Sequence, residues 1–189
     1  MNYKGLFHQI WTLLSAPGKA WDEIRERGGA HDIQAGFVYP LIGLCGLSEF
    51  IGVFIGREFS SLMFQVALTR CCAVAVALFG GFFLSAYVLD KLAVHWLKAG
   101  SMRGKMQVFT GYSMVVTFVL TIVSGLFSIA LLHWILQVYT VFVVFEGARR
   151  WLMLSQAWQI PFTLVATLVI LFCPMLIEYV FNQLSVILN

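Results

Sequence analysis

Charge is what this sequence has least of. Only 11% of its 189 residues are charged and 60% are hydrophobic, whereas a soluble domain carries about 25% charged residues because it must face water somewhere. The shortage excludes an ordinary soluble domain and leaves lipid as the medium for the surplus apolar surface. Catalytic signatures are missing as well: no HExxH, GxSxG or phosphate-cradling glycine loop occurs, and no apolar span carries paired carboxylates. Cys45, Cys71, Cys72 and Cys173 lie in apolar segments without CxxC or Cys/His spacing, so they read as reduced, buried small hydrophobes. His8, His31, His95 and His133 are scattered and suggest no ligand set. No catalytic residue, cofactor or metal is therefore expected, and a net charge of only +3 gives no reason to expect a nucleic-acid partner. Membrane lipid is the expected partner, together with a second copy or another membrane protein.

Long apolar runs are what the sequence has instead. A helix needs about 20 apolar residues to cross a hydrocarbon core of roughly 30 Å. Met106–Phe145 holds forty residues without Asp, Glu, Lys or Arg, which as helix is about 60 Å, enough for two crossings. Ser124, Gly125 and Ser128 in "VSGLFS" mark the turn between them. The expected fold is all-α and polytopic, with five transmembrane helices near 35–56, 66–90, 106–125, 128–146 and 160–181. Pro161 is expected to open the last span and Pro174 to kink it. Residues 1–34 precede a single transmembrane domain over 35–189.

The distribution of basic residues orients these spans. Ten of the twelve Lys and Arg residues fall before span one, between spans two and three, or between spans four and five; Arg57 and Arg70 are the exceptions. Cytoplasmic loops are enriched in such residues, so the N-terminus is expected inside and the C-terminus outside, across a bacterial inner membrane.

In the N-terminal segment, Tyr3, Leu6, Phe7, Ile10, Trp11 and Leu14 form one stripe at helical spacing. This amphipathic helix is expected to lie in the inner membrane interface. A second short helix follows in "SAPGKAWDEI", with Ser15 as candidate N-cap and Trp21 and Ile24 facing the membrane or the bundle. Trp151 and Trp158 are expected at interface level.

Polar and small residues inside the spans supply the candidate sites. Ser48, Gly52 and Gly56 recur every four residues, a row that lets a second helix approach closely, within the monomer or across a dimer. The Gly80–Gly81 pair reads the same way. Glu49 lies about 10 Å inside the outer end of span one, and Arg70, His133 and Glu178 fall in the outer half of three other spans. Ionisable groups at such depth face the bundle or a wet cavity, because lipid exposure costs several kcal/mol. They form either an outward-facing polar pocket or an internal Glu49–Arg70 pair with His133 and Glu178 near the interface. A Glu49–Arg70 pair is expected, since guanidinium satisfies both carboxylate oxygens.

The stretch "KAGSMRGKMQVFTGYSMVV" combines a basic loop with Gly111-Tyr112-Ser113 opening an apolar span. With "LLSAPGKAWDEI" before span one and Tyr39-Pro40 at its start, this resembles the Yip (Ypt-interacting-protein, or Yip-domain) family of five-span membrane proteins. The resemblance implies a compact prokaryotic type. Eukaryotic members bind prenylated Rab-type GTPases largely through an extended N-terminal region, and only about 34 residues precede span one here. Gly111, Tyr112 and Ser113 then read as the packing start of span three: glycine for close approach, tyrosine at the interface, serine bonding within its helix. The function expected is a membrane scaffold or organiser; the alternative is a transporter or channel for a small molecule, ion or lipid, built on the outer-half polar residues. The charge asymmetry makes one outcome specific: of two reporters fused after Asn189, the one active only outside the cytoplasm gives signal. Signal from the inside-only reporter would remove a span.

Overall fold

The computed structural model describes residues 3–28, 33–56, 60–97, 100–127 and 136–187. Among them every regular element is helical. In chain order they are α1 (Tyr3–Ser15), α2 (Pro17–Glu26), a π-helical stretch (Gln34–Val38) running into α3 (Tyr39–Gly52), α4 (Ser61–Leu97), α5 (Arg103–Ser113), α6 (Val115–Phe127), α7 (Thr140–Arg150) and α8 (Gln156–Ile187).

Among the described residues, four helical stretches are long and apolar enough to cross a membrane: Gln34–Gly52, Ser61–Trp96, Arg103–Phe127 and Gln156–Leu184. The expected span at 128–146 is not one of them. Residues 128–135 lie outside the described residues, and α7 has 11 residues, about 16 Å of helix against a core of roughly 30 Å. The second span is longer than 66–90: α4 has 37 residues because its apolar face continues past Asp90 and Lys91, burying Ala93 and setting Trp96 against Trp158 with ring centroids 5.9 Å apart. The last helix starts at Gln156, so Pro161 sits inside α8 and does not open it.

Local chemistry accounts for the helix boundaries. Pro40 lacks an N–H and its ring crowds the carbonyl four residues back; the widened turns just before it, closed by Tyr39 N–H to the Gln34 carbonyl, relieve that conflict. Ser15 does not cap α2: its hydroxyl donates to the Trp11 carbonyl at 2.7 Å, and Ala16 holds the N-cap position without a side-chain bond. Pro17 follows at the first turn, where its missing N–H is tolerated. The start of α5 is capped from another helix. Buried Asp90 of α4 accepts from the Met102 N–H at 2.8 Å and the Ser101 hydroxyl at 2.9 Å. Arg103 lies 3.9 Å from the same carboxylate.

Two close crossings organise the bundle. At the first, α3 meets α6 where a Cβ on Gly52 would fall 1.9 Å from the Gly125 carbonyl oxygen. At the second, α4 meets α8, where a Cβ on Gly81 would lie 2.6 Å from Pro174 and one on Gly80 2.7 Å from Ile177. The Ser85 hydroxyl adds a bond across this pair to the Val169 carbonyl, 3.3 Å away. Gly56, expected in the same row as Gly52, instead sits in a turn after α3 with φ of 72° and no atom within 4 Å of an added Cβ. Its role there is conformational, since φ above zero strains any residue with a Cβ.

Of the N-terminal stripe, Leu6 is buried and Ile10 and Leu14 pack on the core, as does Leu13 from beside it, whereas Phe7 and Trp11 are 68% and 72% exposed. The Tyr139 hydroxyl donates to the Leu14 carbonyl at 2.8 Å and ties the end of α1 to the start of α7.

The glycines separate packing from propensity. Gly52→Ala forces α3 and α6 apart and should lower stability by about 1–3 kcal/mol, the usual cost of overpacking. Gly43, with nothing within 4 Å of an added Cβ, should gain about 0.5–1 kcal/mol as alanine from helix propensity alone. Thermal unfolding of both variants in detergent measures this; equal shifts would remove the Gly52–Gly125 crossing as a determinant of packing.

Candidate functional site

The α3–α6 crossing sets the depth of Glu49. Its amide and carboxylate border Gly125, where an added Cβ would lie 3.2 Å from Oε1. One residue earlier, Ser48 turns its hydroxyl to the Cys45 carbonyl at 2.7 Å, and Cys45 donates to the Phe118 carbonyl of α6 at 3.3 Å. Glu49 and Glu178 both line a cavity of about 320 Å³, together with Thr117, Thr121, Ser124 and Gln137. Val74, Leu78, Leu171 and Met175 supply apolar wall. Gln137 donates to the Thr117 hydroxyl at 3.2 Å, while its own Oε1 is buried with no partner among the described residues.

Arg70 does not close this site. It is exposed, and no ion pair joins it to Glu49. The expected pair fails because similar depth does not fix direction around a helix. His133 lies outside the described residues. The cavity therefore brings together two of the four ionisable candidates.

Phe82, Met114 and Phe118 are fully buried, as are Phe109, Phe162 and Met106, and none of the six lines the cavity.

That end holds a second constellation, centred on Trp21. Trp21 is completely buried, donates from Nε1 to the Val143 carbonyl at 2.9 Å, stacks on Phe109 at 5.9 Å and meets Tyr112 edge-on at 5.9 Å. Gly147 makes room for the indole: a Cβ there would lie 2.7 Å from Trp21 Cζ2. Arg150, one turn further, bonds both Asp22 of α2 and Glu146 of its own helix. The Glu146 hydrogen bond, with the charges of Glu146 and Asp22 behind it, pushes the Arg150 pKa above its usual range. Tryptophan at this spacing suits either lipid or bundle, so the sequence left Trp21 open; Gly147, on a distant segment, was the missing half of the contact. Buried Asp90 also escaped notice, because the groups it binds come from the loop beyond the helix end.

Gly111, Tyr112 and Ser113 adjoin this cluster. An added Cβ on Gly111 would lie 2.9 Å from both Ile33 and Val38. Tyr112 packs on Phe37 at 4.7 Å between centroids and is half-buried. Ser113 does not bond within its helix: its buried hydroxyl has no partner among the described residues. The helix breaks one residue later, at Met114. Tyr39 donates to Gln34 at 3.0 Å and stacks on Phe79 at 5.5 Å. Trp151 donates to the Lys105 carbonyl at 3.0 Å.

Apolar helices of spanning length, close glycine crossings and charges gathered at one end define a polytopic α-helical membrane protein. The chain belongs to the Yip1 domain family, which it matches over residues 11–177. No curated protein and no solved structure gave a match. Among the described residues no three His, Cys, Asp or Glu side chains gather to hold a metal ion.

With no ion pair between them, a Glu49→Gln, Arg70→Gln cycle should show a coupling below about 1 kcal/mol, the range of an unbonded, screened charge pair. Chemical unfolding of the four proteins in one detergent tests this, and a coupling above 1 kcal/mol would place the two groups in contact.

Proposed function

We propose that this protein is an integral membrane scaffold, oriented with its basic end and both N-terminal helices at the cytoplasmic face of a bacterial inner membrane. The observation that carries the reading is the Trp21 contact. Fastened by Gly147, Val143 and the Arg150 bridge, α2 joins the bundle as a fixed part of its basic face. Lys19, Arg25, Arg103, Lys105 and Arg149 stand on or beside that face. A rigid charged surface backed by a closed apolar core suits holding partners better than passing solutes. The buried interior that holds Phe82, Met114 and Phe118 favours the same reading.

Five crossings accompany this reading. α6 ends at Phe127, beside the Gly52 crossing, whereas α7 ends at Arg150 against α2, a placement of the two described ends that favours one more crossing. The uncharged run Met106–Phe145 supports a return within lipid. A C-terminus on the far side follows from that odd number. The exposed Phe7 and Trp11 favour a membrane-surface position for α1.

Transport is the second reading, favoured by the two carboxylates and the buried acceptor Gln137 Oε1 in one cavity. Two measurements separate them. In vesicles containing an internal pH dye, the scaffold passes no more protons than empty vesicles, with Glu49 or with Glu49→Gln. In cells, photo-crosslinks to other membrane proteins from positions 19 and 149 should fall at least about fivefold in Trp21→Ala, at equal membrane abundance, once the contact that fixes α2 is gone. Flux that depends on Glu49 would replace the scaffold with a transporter, and crosslinks indifferent to Trp21 would detach function from the N-terminal helices.

A further inference from the structure

A cavity larger than the one at Glu49 lies elsewhere among the described residues. A groove of about 840 Å³ opens between α1, α3 and α6. Its long walls are Leu44, Leu47 and Ile51 of α3 and Val119, Ile122 and Leu126 of α6, with α1 closing one side. The only polar residues in its lining are His8 and Ser48, and the Ser48 hydroxyl is already bonded to the Cys45 carbonyl. Both walls belong to helices of membrane-crossing length, so hydrocarbon is the medium outside them. Water has too few polar partners to fill such a space.

We propose that this groove holds one phospholipid, its acyl chain along α3 and α6 and its phosphate against Lys4 and His8. A second protein helix is the competing occupant, and the wall chemistry disfavours it. Helices in lipid associate through small residues that bring backbones together. Gly52 and Gly125 are used on each other at the α3–α6 crossing, and the open Gly43 of α3 does not line the groove. Apart from Ser48, the α3 and α6 walls of the groove present branched aliphatic side chains, with Leu44, Leu47 and Ile51 left 41–52% exposed. A flexible chain conforms to those ridges, whereas a helix is held off by them.

Charge at the α1 side selects the headgroup. Lys4 and His8 stand one helical turn apart on the same side of α1. Both are exposed, and Lys4 has no ion-pair partner among the described residues. Phe7 and Trp11 flank them in sequence and line the same groove, as aromatic side chains do at headgroup depth. The protein's basic end adds an attractive field for anionic lipid. An anionic headgroup satisfies all three observations. A zwitterionic lipid satisfies only the groove.

Native mass spectrometry of the full chain, delipidated in detergent and titrated with dioleoyl-phosphatidylglycerol or dioleoyl-phosphatidylcholine, tests the assignment. One retained phosphatidylglycerol per chain is expected, held at least about tenfold more tightly than phosphatidylcholine. Filling the groove with Leu44→Trp should cut retention at least about tenfold, while Leu168→Trp on the exposed face of α8 leaves it intact. Lys4→Gln with His8→Gln should abolish the preference for phosphatidylglycerol and keep the phosphatidylcholine adduct. A native-sequence readout covers the case in which the filled variant fails to fold: an equimolar dibrominated phosphatidylglycerol should quench the part of the fluorescence that Trp11→Phe removes. Equal retention in Leu44→Trp, no quenching of Trp11, or no preference between the lipids would overturn the proposal. A native-sequence dimer that Leu44→Trp converts to monomer would assign the groove to a second copy.

Discussion

Backbone-to-backbone approach is the constraint on which the rest of this bundle depends. Between helices in lipid, the hydrophobic effect that drives soluble packing is largely absent, and association relies on fit and on bonds between polar groups. The fit is made where one side chain has been omitted. Gly52 lies on the Gly125 carbonyl, Gly81 on Pro174, Gly111 on Ile33 and Val38, and Gly147 on Trp21. Each contact joins segments remote in sequence, and together they fix α3 to α6, α4 to α8, and α2 to α7. The large apolar residues behave differently: Phe82, Phe109 and Phe118 fill the interior, while Leu168, Phe172 and Phe142 face outward. The latter contribute apolarity, and the glycines contribute specificity.

Polar groups stabilise the ends of this arrangement. Asp90 gives α5 the cap that its own N-terminal residues do not provide, satisfying an orphan amide with a buried carboxylate. Arg150 bridges two helices through two carboxylates, so that a guanidinium rather than water meets Asp22. At the other end, Glu49 and Glu178 share a cavity with hydroxyl and amide groups. The two ends thus use carboxylates in different ways: one set is matched by cations and amides, the other lines a cavity shared with hydroxyl and amide side chains.

Much of the fold was legible because apolar run length is a one-dimensional property. The crossings at α3, α4, α5–α6 and α8 follow from it, as does the gathering of basic residues at one end. Direction around a helix is not contained in run length. Glu49 and Arg70 fall at one level by residue count, yet no ion pair joins them, because the direction of a side chain is decided by neighbours such as Gly125. The reach of α4 beyond Asp90 was hidden because a charge pair normally closes an apolar segment, and only Ala93 and Trp96 reveal that the buried face continues. Ser15 looked like a cap by residue type, yet its hydroxyl found the Trp11 carbonyl of the preceding helix first.

The position of the Trp21 pocket also orders events in time. Its walls are Phe109, Tyr112, Val143 and Gly147, so nothing can receive the indole until residues up to about 147 have been made. A ribosome adding about 5–20 residues per second needs roughly 6–25 s to cover that interval. For that long, α2 must wait as an unfastened amphipathic segment with a tryptophan that has no interior to enter. An early-made segment is therefore fastened late, and a nascent chain arrested before Gly147 would present Trp21 to whatever apolar surface lies within reach.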